Sequence, residues 1–82
     1  MAEKEIQLLL ADNLPAADIR LKTADGVHFE ATIITDAFVG KKTIERQRMV
    51  YAIVGPHITS GAIHALSLKT FTQQEWHTKC GS

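Results

Sequence analysis

The sequence predicts an α+β domain with its elements in the order helix, strand, strand, helix, strand, helix. Three observations carry that prediction. The alternating stretch Ile19-Arg20-Leu21-Lys22-Thr23 runs into Asp25-Gly26 and returns through the β-branched run Thr32-Ile33-Ile34-Thr35. That is the pattern of an antiparallel hairpin with a tight turn. Apolar residues at helical spacing occur on both sides of the hairpin. Near the C-terminus, a two-residue period gives way at Phe71-Thr72 to the signature of a helix start.

The elements follow in order. Residues 3–13 form a first helix, with Ile6, Leu9 and Leu10 as its apolar stripe and Glu3 and Glu5 at the positive end of its dipole. Asn13 is expected to close it in the left-handed conformation, and Pro15 prevents continuation. The hairpin strands span Ile19–Thr23 and His28 to about Thr35. A turn over residues 36–42 leads to a second helix, for which Thr43 is the expected cap. Ile44, Val50, Ile53, Val54 and Ile58 supply its apolar side, widened by Met49 and Tyr51. Lys41, Lys42, Arg46 and Arg48 cluster at its beginning and on its outer face. Gly55-Pro56 interrupts the pattern, so the helix either kinks there or ends and restarts before Ser60-Gly61.

The third strand begins near Ile63, with His64, Leu66 and Leu68 on one face and Ile63, Ala65, Ser67 and Lys69 on the other. Thr72 and Glu75 then form a capping box, flanked by a Phe71–Trp76 hydrophobic staple. A strand therefore runs straight into a short helix, with a histidine at the strand's entrance. The single domain covers residues 1–82, with a core of about 5–77 and a polar C-terminal tail.

Composition bounds the function. At 82 residues the chain is one small domain, near the size at which a single core is only just sufficient. Nine basic and nine acidic residues balance to zero, so bulk charge gives no support to non-specific nucleic-acid binding. No apolar run approaches the ~20 residues of a membrane span. Met-Ala-Glu-Lys-Glu lacks the layout of a secretion signal, and the lone Cys80 cannot form an internal disulfide. A reducing cytoplasm is the expected compartment. No nucleophile–base pairing, paired carboxylates or phosphate loop suggests an enzyme.

The order Phe38-Val39-Gly40, Arg46-Gln47-Arg48-Met49-Val50-Tyr51, Ile63-His64-Ala65-Leu66-Ser67-Leu68-Lys69-Thr70 and Thr72-Gln73-Gln74-Glu75-Trp76 resembles the BolA-like family, from about Glu5 to Trp76. The resemblance implies an α-β-β-α-β-α fold similar to a class II KH domain. Its three-stranded mixed sheet would carry helices on one side. It also implies a non-enzymatic adaptor that pairs with a monothiol glutaredoxin in iron–sulfur trafficking or iron regulation, with or without a shared [2Fe-2S] cluster. On the same basis, the family's histidine ligand maps onto His64. Its second ligand, a histidine or cysteine between the first two strands, has His28 as its candidate here. Gln47 stands between the two arginines where many members carry histidine, which points to a glutamine-bearing branch.

Imidazole can replace thiolate on a cluster iron and raises its potential. The glutaredoxin and glutathione thiolates would supply the remaining positions. The chain lacks the paired cysteines to hold a cluster alone, and a monomer or weak homodimer is expected outside the complex. Ligating imidazoles must be neutral, so assembly should weaken as pH falls through ~6.5.

Each residue also has a plainer account. His64 could be hydrogen-bonded at the core's edge, and His28 could be a solvated hairpin residue. His57 suits a helix C-terminus, while His77 and Cys80 belong to the polar tail. The cluster of Lys41, Lys42, Arg46 and Arg48 is either a solvated face or a contact for glutaredoxin, glutathione carboxylate or phosphate. Some family members bind DNA as transcriptional regulators and act in stress responses, which is the alternative function. Here the basic start of the second helix would meet phosphates. However, Gly40-Lys41-Lys42-Thr43 lacks the second glycine of a KH Gly-x-x-Gly loop, and no exposed aromatic pair offers base stacking.

Overall fold

A computed structural model describes residues 3–14, 16–26, 28–59 and 65–80. The first helix, α1 (Glu3–Asn13), buries Ile6 and Leu10 completely, as their i, i+4 spacing requires. It ends differently from expectation. Asn13 remains helical with its side-chain amide donating to the Leu9 carbonyl at 2.8 Å, and the last helical bond runs from the Leu14 N–H to the Leu10 carbonyl at 2.9 Å. The left-handed residue is instead Ala16, at φ 54°.

Strands β1 (Asp18–Thr23) and β2 (His28–Ile34) form the expected antiparallel hairpin, with Ile19 opposite Ile33 and Leu21 opposite Ala31. Strand β3 (Ala65–Phe71) pairs parallel to β2, from His28 opposite Ala65 to Ile34 opposite Phe71. The sheet is therefore mixed, in the order β1-β2-β3. Alternation sends Ile19, Phe29, Ala31, Ile33 and Leu66 to one face, where they join Ile6, Leu10, Phe38, Val50 and Val54 in the core. Leu66 and Leu68 lie on the core side and Ser67 and Lys69 are exposed, as the period predicts. The expected strand entrance at Ile63 and His64 lies outside the described residues.

Between β2 and the second helix, Asp36–Phe38 makes one turn of 3-10 helix. Thr35 opens it by accepting from the Ala37 N–H at 3.2 Å, and Phe38 is fully buried beneath it. Gly40 follows at φ 77°, the left-handed region that favours glycine. Helix α2 then spans Thr43–Thr59. Thr43 is already helical and does not cap it. Instead, the Glu45 carboxylate turns back to accept from the Lys42 N–H at 2.9 Å. Pro56 neither ends α2 nor forces a restart, because its missing hydrogen bond would have gone to the carbonyl of Ala52, an exposed residue that water can reach. Ile44, expected on the apolar side, is 52% exposed in the first turn.

Helix α3 (Gln73–Cys80) runs on through the start of the expected polar tail. The capping box is complete, with Thr72 N–H donating to Glu75 Oε1 at 2.8 Å and Glu75 N–H donating to Thr72 Oγ1 at 3.1 Å. The Phe71 and Trp76 rings meet edge to face at 5.2 Å, which forms the staple. Helices α1 and α2 contribute the buried residues above one sheet face. Trp76 reaches the other face, beside Arg20, Lys22, Glu30, Thr32 and Lys69. The cause is Phe71, which by alternation lies with Lys69 and Ser67 and draws Trp76 with it. No helix among the described residues is long and apolar enough to cross a membrane.

Candidate functional site

The hairpin turn folds on its own side chains. Thr23 Oγ1 donates to the His28 carbonyl at 2.7 Å and accepts from the Gly26 N–H at 2.9 Å. Gly26 takes φ 78°, which closes the turn without a Cβ penalty. Asp25 grips the returning strand with both oxygens: Oδ1 accepts from the His28 backbone N–H at 2.9 Å, and Oδ2 lies 2.6 Å from His28 Nδ1. The His28 side chain remains 64% exposed. It lines an open cleft of about 510 Å³ together with Lys22, Thr23, Asp25, Glu30 and Ser67.

The sheet register determines what stands beside this histidine. Ala65, the residue that follows His64 in the chain, is the Cα partner of His28. Hairpin mouth and β3 entrance are thus adjacent. Two parts of the sequence separated by the whole of α2 meet at one end of the sheet. His64 itself lies outside the described residues. His57 sits in the last turn of α2, where a basic group suits the dipole, and His77 lies on α3.

The basic group divides. Lys41, Lys42 and Arg48 are exposed at the start of α2. Arg46 is not part of that surface. It is 8% exposed and bridges three segments. Its Nε donates to the Lys41 carbonyl at 2.9 Å, and Nη1 donates to the Thr70 carbonyl at 3.4 Å. Nη1 and Nη2 also fork onto the two Glu75 oxygens at 2.6 and 3.1 Å. The guanidinium lies 5.7 Å from the centre of the Phe38 ring. Its role is therefore to tie α2 to α3, and the expected contribution to a partner or phosphate contact is corrected accordingly. Helical spacing alone placed Arg46 with the other cations. The signal for its true partner was the Thr72–Glu75 box, which presents a carboxylate beside the end of β3.

The Arg46 guanidinium, followed by the Thr72 backbone N–H, holds the Glu75 carboxyl down from 4.5 to about 2. Because the folded-state value lies below the unfolded one, this contribution is fully present above ~4.5 and is lost as pH falls through ~2. Half of the Glu75 side chain is in water, so screening by solvent and salt reduces the effect. Glu75→Gln should unfold at lower urea than the parent at pH ~5, and the gap should narrow by pH ~2. Urea midpoints at the two pH values test this. A gap that persists unchanged would remove the carboxylate as its source.

The family model described as "BolA-like protein" matches residues 6–75. The chain belongs to the BolA-like family. Among solved structures, this BolA-like protein is similar to a BolA homologue from Coxiella burnetii, at 35% identity and TM-score 0.81, covering 94% of this chain and 97% of that one. It is 32% identical over 76 residues to the acid stress protein IbaG of Escherichia coli K12, covering 93% of this chain and 89% of that protein. It is 35% identical over 49 residues to the DNA-binding transcriptional regulator BolA of the same organism, covering 60% of this chain and 46% of that protein. The expected family and its element order are both met.

Proposed function

We propose that this BolA-like protein is a non-enzymatic adaptor that docks on a monothiol glutaredoxin. His28 and His64 would then complete the coordination of a [2Fe-2S] cluster that the glutaredoxin and glutathione bring. The observation that carries this reading is the pairing of His28 with Ala65, which sets the hairpin mouth beside the chain segment that His64 enters. The donor chemistry fits. His28 is exposed and orientated through one ring nitrogen by a carboxylate, the arrangement common among ligating histidines. When bound, the cluster would supply a one-electron centre whose potential is raised by imidazole ligation. Lys22, at the cleft wall, would face the negative charge of such an assembly.

Anaerobic mixing with a monothiol glutaredoxin, glutathione, iron and sulfide tests the proposal. The mixed complex should show a visible spectrum distinct from that of the glutaredoxin alone. His64→Ala should abolish the distinctive bands with the fold retained, and His28→Ala should weaken the complex. An unchanged spectrum in His64→Ala would defeat the reading.

A second reading, DNA binding, draws on the exposed Lys41, Lys42 and Arg48 and on the similarity to a DNA-binding regulator. If it holds, alanine at these three positions should weaken duplex binding. The slope of log K against log salt should also become shallower, by about 0.9 for each phosphate that is no longer neutralised. Equal binding by parent and triple variant at every salt concentration would end it.

A further inference from the structure

We propose that Asp25 is a positioning residue that fixes the imidazole tautomer of His28, keeping the ring proton on Nδ1 so that Nε2 presents its lone pair. This rests on the reading of His28 as a cluster ligand and goes further, by naming the donor atom and the residue that selects it. A neutral imidazole has one N–H and one bare nitrogen, and an ionised carboxylate can only accept. With Asp25 Oδ2 at 2.6 Å from Nδ1, the proton of a neutral ring must lie between them. Nε2 is then the bare nitrogen. The other carboxylate oxygen is committed to the His28 backbone N–H at 2.9 Å, so Asp25 cannot swing away without leaving that donor open. Thr23, bridging the Gly26 N–H and the His28 carbonyl, fixes the turn against which Asp25 is braced. A strand-entry histidine needs none of this to stay in place. The bidentate grip has its consequence at the ring, where it leaves one nitrogen free for a metal.

Chemistry makes the substitution Asp25→Asn more informative than removal. An asparagine has one accepting oxygen and one donating amide, and the groups it meets from His28 are the backbone N–H and Nδ1. The arrangement that satisfies both directs the oxygen to the backbone and the amide to a bare Nδ1. The ring proton must then move to Nε2, and the atom offered to iron becomes an N–H. The variant keeps the turn and inverts the tautomer.

Long-range 1H–15N correlation spectra of the free protein at about pH 8, where an ordinary imidazole is neutral, report the tautomer directly. The parent should show His28 protonated on Nδ1 and Asp25→Asn should show it protonated on Nε2. Asp25→Asn should also weaken assembly with the glutaredoxin by roughly 10–100-fold. A parent ring protonated on Nε2 overturns the proposal without any variant, so a poorly folded Asp25→Asn does not shelter it. If His28→Ala weakens assembly while Asp25→Asn changes neither tautomer nor assembly, Asp25 has no such role and the ligand reading stands. If His28→Ala leaves assembly intact, His28 is not a ligand, and the positioning role falls with it.

Discussion

Arg46→Ala is expected to lower the thermal midpoint by roughly 10–20 °C, the equivalent of about 2–3 kcal/mol in a domain of this size. The guanidinium is buried and serves the Lys41 and Thr70 carbonyls and the Glu75 carboxylate at once. Its removal opens the joint between the start of α2 and the start of α3 and leaves part-buried acceptors without their donor. Arg46→Lys should recover only part of the loss, since an ammonium cannot make the fork onto Glu75 while reaching both carbonyls. Lys41→Ala and Arg48→Ala, at exposed positions, should stay within about 0.5 kcal/mol of the parent. The contrast can be checked by thermal denaturation of all four variants. A midpoint for Arg46→Ala within the scatter of the surface variants would return Arg46 to the outward-facing basic group.

Phe38→Ala is expected to cost about 3–5 kcal/mol, a large part of the ~5–15 kcal/mol available to a small domain. Phe38 is fully buried at the end of the 3-10 turn, with the Arg46 guanidinium over its ring. It joins β2 to α2 in the core, and neighbouring elements are held by the sheet and cannot collapse far into the space it leaves. Urea unfolding at neutral pH measures the loss. A shift of less than about 1 kcal/mol would mean that the turn relaxes to fill the cavity, and that Phe38 is not a keystone between the two elements.

These two residues show what the sequence could and could not say. The hairpin was legible because Asp25-Gly26 between alternating strands is a local signal, and α3 was legible because its capping box and staple lie within six residues. Local signals survive folding when nothing distant competes. Arg46 was misjudged for the opposite reason, since its carboxylate partner lies 29 residues away and is brought close only by the parallel pairing of β2 and β3. Asn13 and Thr43 had the right chemistry for helix ends, but other contacts took those places: the Leu14 N–H on the Leu10 carbonyl for α1, and the Glu45 carboxylate for α2. Pro56 suggested a break because sequence does not reveal which carbonyl faces water.

For the candidate site, residue type was legible and company was not. His28 stood out only through the family resemblance, as the histidine between the first two strands. Its bond to Asp25 was also within reach of the sequence, at a spacing of three across a Gly-containing turn, although the turn signal drew attention to the backbone and away from the carboxylate. The adjacency of hairpin mouth and β3 entrance was not readable from spacing at all. It follows from β3 pairing parallel to β2 in the particular register that sets His28 opposite Ala65. A shift of one residue would have turned every side chain of β3 to the wrong face, so burial of Leu66 and Leu68 fixes that register.

Pulsed EPR of the reduced mixed complex, assembled from unlabelled glutaredoxin and this chain carrying 15N-histidine, decides whether this chain supplies iron ligands. Nitrogen couplings to the cluster should change on labelling this chain, with one contribution lost in His28→Ala and the other in His64→Ala. A cluster signal with no nitrogen coupling sensitive to the label would contradict this, and would assign the iron ligands entirely to the partner.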